Sequence, residues 1–260
     1  MRIAVYIRNR SMALQRLLVL FISIVIFVMV WWFISWFTHL PDFILPSPQR
    51  VLFRFWDILV YGKLLYHAVN TLSEVMIGLL VGTIMATCLG YLIAQYPTFE
   101  QLVGPYLVAS QAVPTVAIAP LLIIWFGAGL VSKIVICALV VFFPMLINTF
   151  IGFRSVSKDL YILMYSLKAS KWQIFTLLEV PAALPVLFGG LRIGATLSVI
   201  GAVVGEFVGA DRGLGFLISV ARGQYDTALV FVAVFVLIIM ALMLYGLVIW
   251  LEVRFLNWMH

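Results

Sequence analysis

The sequence predicts an all-α integral membrane protein with six transmembrane helices, and three observations carry that prediction. Hydrophobic residues make up 65% of the 260 residues and charged residues 10%, where soluble domains carry roughly 25%. With a mean hydropathy of +1.19, such a chain cannot clothe a globular surface in polar groups. The apolar residues gather into six runs of about 20 residues, the length that crosses a bilayer core of ~30 Å. The polar interruptions follow no fixed repeat, and one of them, residues 154–185, has internal order of its own. The formal charge of +6 comes from 16 basic residues scattered between apolar runs. That is no continuous patch for nucleic acid, and a bias of loop charge toward the cytoplasm accounts for it. Cys88 and Cys137 both fall inside apolar runs, where thiols pack as small hydrophobes rather than as a disulfide framework.

The elements follow in order. Residues 1–16 hold Arg2, Arg8, Arg10 and Arg16 and no acid, a basic cytoplasmic tail. The run 17–37 exceeds a signal-peptide core of roughly 7–15 residues, so it reads as a retained first span with Trp31, Trp32 and Trp36 as its interfacial belt. Residues 38–70 are mixed: PDFILPSP, then VLFRFWDILV, a short amphipathic piece suited to lying along the outer interface. The second span, about 71–95, repeats Gly78, Gly82, Ala86 and Gly90 at every fourth position. Such a stripe admits a second helix at close range, although glycine is also simply common in membrane helices. The third span, about 106–126, is interrupted by Pro114 and Pro120 and carries Gln111 and Thr115; the fourth, about 132–151, carries Pro144 and Asn148. Carbonyls freed by such prolines are tolerated inside a bundle or beside a cavity. The fifth, about 186–208, is rich in small residues, Gly190, Gly194, Ser198, Gly201 and Gly205 among them, which argues for burial at the middle of the assembly. The sixth, about 227–251, is almost wholly aliphatic and suits a lipid-facing position; residues 252–260 form a short tail. With the N-terminus inside, nine Lys and Arg fall on the cytoplasmic side against six outside, which places both termini and the ordered loop in the cytoplasm.

Within that loop, Leu160, Leu163, Met164 and Leu167 recur at three- and four-residue spacing, one apolar stripe on a helix. Ser170-Lys171-Trp172-Gln173 has the form of a capping box and starts a second helix. That helix is expected to end near Pro181, which lacks an N–H and disfavours helix at the preceding residue. The loop is thus helix, sharp turn at Lys168-Ala169, helix, with basic residues on both sides of the turn, the form of a docking surface.

These features resemble the permease subunit of a bacterial ABC importer. The corresponding loop of that family carries the EAA motif: Glu-Ala-Ala, three residues, Gly, and a Leu-Pro-like pair ending thirteen residues after the Gly. Pro181 stands thirteen residues beyond Lys168, Pro185 matches the second proline, and Ala169-Ser170-Lys171-Trp172 and Gly190-Leu191-Arg192-Ile193-Gly194 match what surrounds them. Ile162, Leu163 and Met164 replace the Glu-Ala-Ala, and Lys168 replaces a Gly that often turns with positive φ, a conformation costing a side chain about 1 kcal/mol or more. Either the turn is built differently or the Lys charge offsets the strain through a partner. LPSPQRVL, AVPTVAIAPLLIIWFGAG, FFPMLINTFIGFRSV and GAVVGEFVGADRGLGFLI, in that order, resemble the nitrate, sulfonate and taurine branch of the family. The GAVVGEF wording is more similar to permeases for thiamine-pyrimidine or riboflavin uptake.

The resemblance implies the six-span type I importer fold and a chain that forms the pathway for a small solute without being an enzyme. The solute is either a heterocycle of the thiamine-pyrimidine or riboflavin kind or an anion of the sulfonate, taurine or nitrate kind. It further implies a second permease copy, two cytoplasmic ATPase subunits carrying the ATP and Mg, an external binding protein and a place in the bacterial inner membrane. The chain itself has no G-x-x-x-x-G-K-[ST] to cradle phosphates, so no cofactor is expected on it. The coupling contact would be Tyr165, Ser166, Leu167, Lys168, Ala169, Ser170, Lys171 and Trp172. Lys168 and Lys171 would meet acids of the ATPase, or serve only as inside charges near anionic lipid.

Gln111, Pro114, Thr115, Asn148, Thr196 and Ser198 are the candidates for the translocation pathway, being small polar groups on kinked or small-residue helices. Glu74, Lys133, Arg192 and Glu206 are ionisable groups in or near spans, functional candidates by default. All four lie close to expected helix ends, where long side chains reach water cheaply. Glu206, at the outer end of the fifth span, is the gate candidate, with a structural hydrogen bond as its other reading. His39 and His67 are too far apart in sequence to suggest a metal site. A stand-alone secondary transporter or channel would call for buried titratable pairs or inverted repeats. An intramembrane enzyme would call for a nucleophile–base pair or metal cluster. The sequence pattern displays none of these.

Overall fold

The computed structural model describes residues 2–38, 40–96, 98, 101–102, 104–105, 109 and 115–256. Ten helices and one π-helical turn are defined among them: α1 (Arg2–Phe37), α2 (Pro48–Val60), α3 (Leu64–Gln95), α4 (Thr115–Phe126), α5 (Leu130–Arg154), α6 (Lys158–Ser166), α7 (Lys171–Ile174), the π turn (Phe175–Glu179), α8 (Val180–Gly209), α9 (Leu214–Gly223) and α10 (Thr227–Phe255). No strand occurs among the described residues. Four helical stretches are long and apolar enough to cross a membrane: Leu64–Gln95, Leu130–Arg154, Lys171–Gly209 and Thr227–Phe255. The shorter apolar helices Phe21–Phe37 and Ala117–Phe126 fall where the first and third spans are expected. The basic tail and the first expected span form one continuous helix, α1, and α3 starts seven residues before the expected boundary.

The chain forms two compact units, 1–62 with 221–232, and 63–220 with 233–260. In the first, Ser47 caps α2 and Pro48 occupies its first turn, where the missing N–H would have had no helical partner. Val51 and Ile58 are buried, whereas Leu52, Phe53 and Trp56 are exposed, the amphipathic character expected of this segment. The Trp31 indole N–H donates to the Pro46 carbonyl at 3.2 Å and its ring stacks on Phe231 at 5.2 Å. Arg54 pairs with Asp226 at 2.7 Å, and the Asp226 carboxylate caps α10 by accepting from Leu229 N–H at 3.0 Å.

In the second unit α3, α5 and α8 pack against one another, and α4 covers part of α5 and α8. The glycine stripe of α3 is the reason the trio closes. A Cβ on Gly78 would stand 2.2 Å from Cys137 Cβ, and one on Gly82 would stand 2.7 Å from the Ala138 carbonyl oxygen. Ala86 and Gly90 continue the same buried row. From α8, Gly201 meets the Cys137 backbone so closely that a Cβ would lie 2.9 Å from its Cα. The small residues of the fifth span thus serve its close approach to α5, but α5, packed between α3 and α8, is the more buried of the three, so the expected burial of the fifth span is not met within one chain. Cys137 is buried in this contact, whereas Cys88 is exposed on α3.

Candidate functional site

The ordered loop forms the helical hairpin that its sequence predicts. α6 ends with Ala169 N–H donating to Met164 O at 3.0 Å and Lys168 N–H donating to Tyr165 O at 2.9 Å, the paired bonds of a Schellman turn. Lys168 occupies its left-handed position, with φ 55°. The turn is thus built as a Gly turn would be, and no acidic side chain among the described residues offsets the strain. α7 opens on the expected capping box: Gln173 N–H donates to Ser170 Oγ at 3.2 Å, and Ser170 N–H donates to Gln173 Oε1 at 2.8 Å. Tyr165, Ser166, Leu167, Lys168, Ser170, Lys171 and Trp172 are exposed and Ala169 half-buried. α6 buries none of its side chains. Trp172 is 71% exposed and Leu167 70%, so a large apolar surface sits at the tip beside two lysines.

One expectation about the hairpin is overturned. The second helix does not end near Pro181; helix continues from Lys171 to Gly209. An uninterrupted α-helix would press the Pro181 ring on the Leu177 carbonyl. The chain instead widens into the π turn, in which Val180 N–H reaches back to Phe175 O, and Pro181 falls in the first turn of α8. Short π-helical turns of this kind recur at functional sites.

The π turn brings forward a residue that the sequence reading does not single out. Glu179 is 5% exposed. Its Oε1 accepts from Tyr161 Oη at 2.9 Å and Gln95 Nε2 at 3.1 Å, and its Oε2 accepts from Tyr91 Oη at 3.3 Å. Burial, and then the hydrogen bond to Glu179, push the Tyr161 phenol above its ordinary range, which keeps it a donor. The signal available in sequence was a lone acid between Leu-Leu and Val-Pro in a basic loop, since buried carboxylates seldom stand unpaired.

The four ionisable candidates in or near the spans, Glu74, Lys133, Arg192 and Glu206, also have partners, and this corrects the expectation that they reach water at helix ends. Lys133 Nζ meets Glu74 Oε1 at 2.8 Å, with the two residues 4% and 2% exposed. Arg192 meets Glu252 at 2.8 Å. The Glu74–Lys133 contact is a buried titratable pair that sequence reasoning did not find; its members lie 59 residues apart. Glu206 is buried as well. Its carboxylate accepts from Thr71 Oγ1 at 2.7 Å and from Gly215 N–H at 2.5 Å. Thr71 Oγ1 in turn accepts from Leu214 N–H at 2.8 Å, and His67 Nδ1 from Gly213 N–H at 3.1 Å. Gly213 has φ +110°, and a Cβ there would stand 2.0 Å from Glu206 Oε1. Glu206 thus moors the 210–215 loop to α3.

Of the pathway candidates, Gln111 and Pro114 lie outside the described residues, and Thr115 opens α4. Asn148 is half-buried and its amide donates to Pro144 O at 2.8 Å. Thr196 donates to Ile193 O at 2.9 Å. Ser198 is wholly buried, and its carbonyl accepts from Cys137 Sγ at 3.3 Å in the α5–α8 contact. A cavity of about 620 Å³ lies elsewhere in this unit, lined by Asn70, Ser73, Glu74, Lys133, Asp211 and Arg212 among others.

A helical membrane chain with an exposed, capped hairpin ahead of a long glycine-rich span has the plan of a transport permease. Residues 78–257 match the family of binding-protein-dependent transport system inner membrane components, and the chain belongs to that family. It is the membrane-spanning permease subunit of an ABC importer, a multi-pass protein of the inner membrane. It is 46% identical over 218 residues to the riboflavin transport system permease protein RibX of Chloroflexus aurantiacus, covering 84% of this chain and 81% of the relative. It is 36% identical to the formylaminopyrimidine transport permease protein ThiX of Halalkalibacterium halodurans, covering 89% and 92%. It is 30% identical to the taurine transport system permease protein TauC of Escherichia coli, covering 85% and 82%. Family membership decides against the stand-alone transporter in spite of the buried pair.

Proposed function

We propose that the 158–174 hairpin is the cytoplasmic contact through which ATPase subunits drive this permease, and that the permease acts as a pair of identical chains fed by an external binding protein. The observation that carries this reading is the hairpin itself. A nine-residue helix that buries none of its side chains, followed by a fully formed capping box, is costly to hold in order with Leu167 and Trp172 exposed to water. A partner groove that takes those two side chains removes the cost. The termini then lie in the cytoplasm, and ATP and Mg bind the partner. The cargo is a small nitrogen heterocycle of the riboflavin or thiamine-pyrimidine kind, a reading supported by the two higher identities, to proteins named for such solutes, over that to the taurine permease. Gln111, Pro114, Thr115, Asn148 and Thr196 are the pathway positions; Ser198, wholly buried in the α5–α8 contact, is not one of them.

Co-expression with the ABC ATPase of the same transporter tests the docking. The wild-type permease is expected to retain the ATPase through purification, and Leu167→Asp with Trp172→Ala to lose it while remaining folded. An unchanged yield of ATPase with the double variant would overturn the assignment. For the cargo, proteoliposomes loaded with ATP and given the binding protein are expected to take up labelled riboflavin or formylaminopyrimidine in preference to taurine.

A further inference from the structure

We propose that Glu179 is a positioning residue of the transport cycle, the single carboxylate that ties the ATPase-facing hairpin to the inner end of α3. This rests on the reading of the hairpin as the ATPase contact and deepens it.

The argument is geometric. α6 buries no side chain, so packing alone gives it little hold on the spans. Its Tyr161 hydroxyl reaches out to Glu179. The same carboxylate takes Tyr91 and Gln95 from the last turns of α3, and it stands on the π turn from which α8 departs. One buried group therefore holds three elements: the hairpin, α3 and the root of α8. Both oxygens are used, so the hairpin and α3 fix the carboxylate's orientation together. An aromatic row runs beside it. Trp172 lies 5.5 Å from Phe175, Phe175 5.2 Å edge-on from Tyr91, and Tyr91 4.8 Å from Phe153 at the end of α5. A displacement of the hairpin tip thus has a short, polar and directional route to α3. A purely apolar contact would slide; a carboxylate shared by fixed donors transmits rotation.

The hydroxyls allow a test that leaves the carboxylate satisfied, because each tyrosine supplies only one of three donors. The complex of permease, ATPase subunits and binding protein in nanodiscs is compared with and without ATP plus vanadate by hydrogen–deuterium exchange, alongside its ATPase rate and its Tm. In the wild type, nucleotide is expected to change exchange at both 158–166 and 86–95. In Tyr161→Phe and in Tyr91→Phe the hairpin response stays, and the response at 86–95 falls about fivefold or more, the scale of an ordinary coupling between sites. Because the link is serial, the double variant falls no further than the worse single. Glu179→Gln, whose amide oxygen can still accept from Tyr161 and Gln95 and whose amide N–H can donate to the Tyr91 hydroxyl oxygen, retains most of the response, and Glu179→Leu loses it.

A response at 86–95 of wild-type size in Tyr161→Phe would overturn the proposal. So would losses that multiply in the double variant, as independent packing contributions do. If the wild-type hairpin itself gives no nucleotide response, the docking reading fails and this proposal with it; a hairpin response with α3 indifferent to the variants sinks the Glu179 link alone.

Discussion

Removing the charge of Lys133 breaks a buried ion pair. The ammonium stands 2.8 Å from Glu74 Oε1, and at an effective dielectric near 20 the gross attraction is about 6 kcal/mol. Stripping water from both groups returns most of that, so the net worth of the pair is small. The asymmetry appears when one member goes. Lys133→Met leaves a carboxylate that is 2% exposed, whose second oxygen already has no donor among the described residues. The expected loss is about 3–5 kcal/mol. Glu74→Met together with Lys133→Met removes both charges at similar volume and is expected to return to within about 1 kcal/mol of the wild type. The measurement is reversible unfolding in mixed micelles followed by tryptophan fluorescence, on the three proteins side by side. A single variant as stable as the wild type would show that Glu74 is hydrated rather than buried. A double variant as poor as the single would show that the loss comes from packing and not from an uncompensated charge.

Three further outcomes follow from local geometry. Lys168→Gly relieves a left-handed residue at φ 55° and is expected to raise stability by about 1 kcal/mol, with Lys168→Val lowering it, both read as Tm; ATP-driven uptake unchanged in Lys168→Gly would show that the charge itself is not needed. Ser170→Ala removes the cap at the start of α7, worth about 1 kcal/mol, and should speed amide exchange at 171–174 while leaving α8 protected. Gly213→Ala sets a Cβ against Glu206 Oε1 at a backbone angle that side chains rarely adopt; strain of about 1–3 kcal/mol should appear as a lowered Tm, and Glu206→Gln should leave the loop nearer to its wild-type position than Glu206→Ala.

What the sequence disclosed was whatever its neighbours in the chain decide. The Ser170–Gln173 cap, the Lys168 turn and the amphipathic face of 51–60 depend on residues at most a few positions apart, and each is found where its pattern points, the last with a helix that starts three residues earlier. The glycine stripe of α3 was also legible, because a row of absent side chains has few uses other than close approach. The pairs were not. Glu74 with Lys133, Arg192 with Glu252 and Glu179 with Tyr91 join residues 59, 60 and 88 positions apart, and no local pattern foretells which acid meets which donor. The error at Pro181 has a different origin. A proline reads locally as a stop, but helix can pass a proline where a wider turn spares it the clash with the preceding carbonyl.

That wider turn sets an angle. A π turn accommodates one residue more than an α turn would over the same rise, and each residue of an α-helix advances the chain by about 100° around its axis. Closing Phe175–Glu179 to α geometry with no residue deleted, which Pro181 opposes, would leave the composition of the hairpin and of α8 intact. It would also swing everything before the turn by about a quarter of a revolution against the glycine-bearing face of α8. Trp172 and the Ser170 cap would then address a different direction in the cytoplasm. The five residues Phe175–Glu179 therefore act as an indexing joint: they fix the heading at which the hairpin meets whatever drives it, independently of how tightly either side is packed.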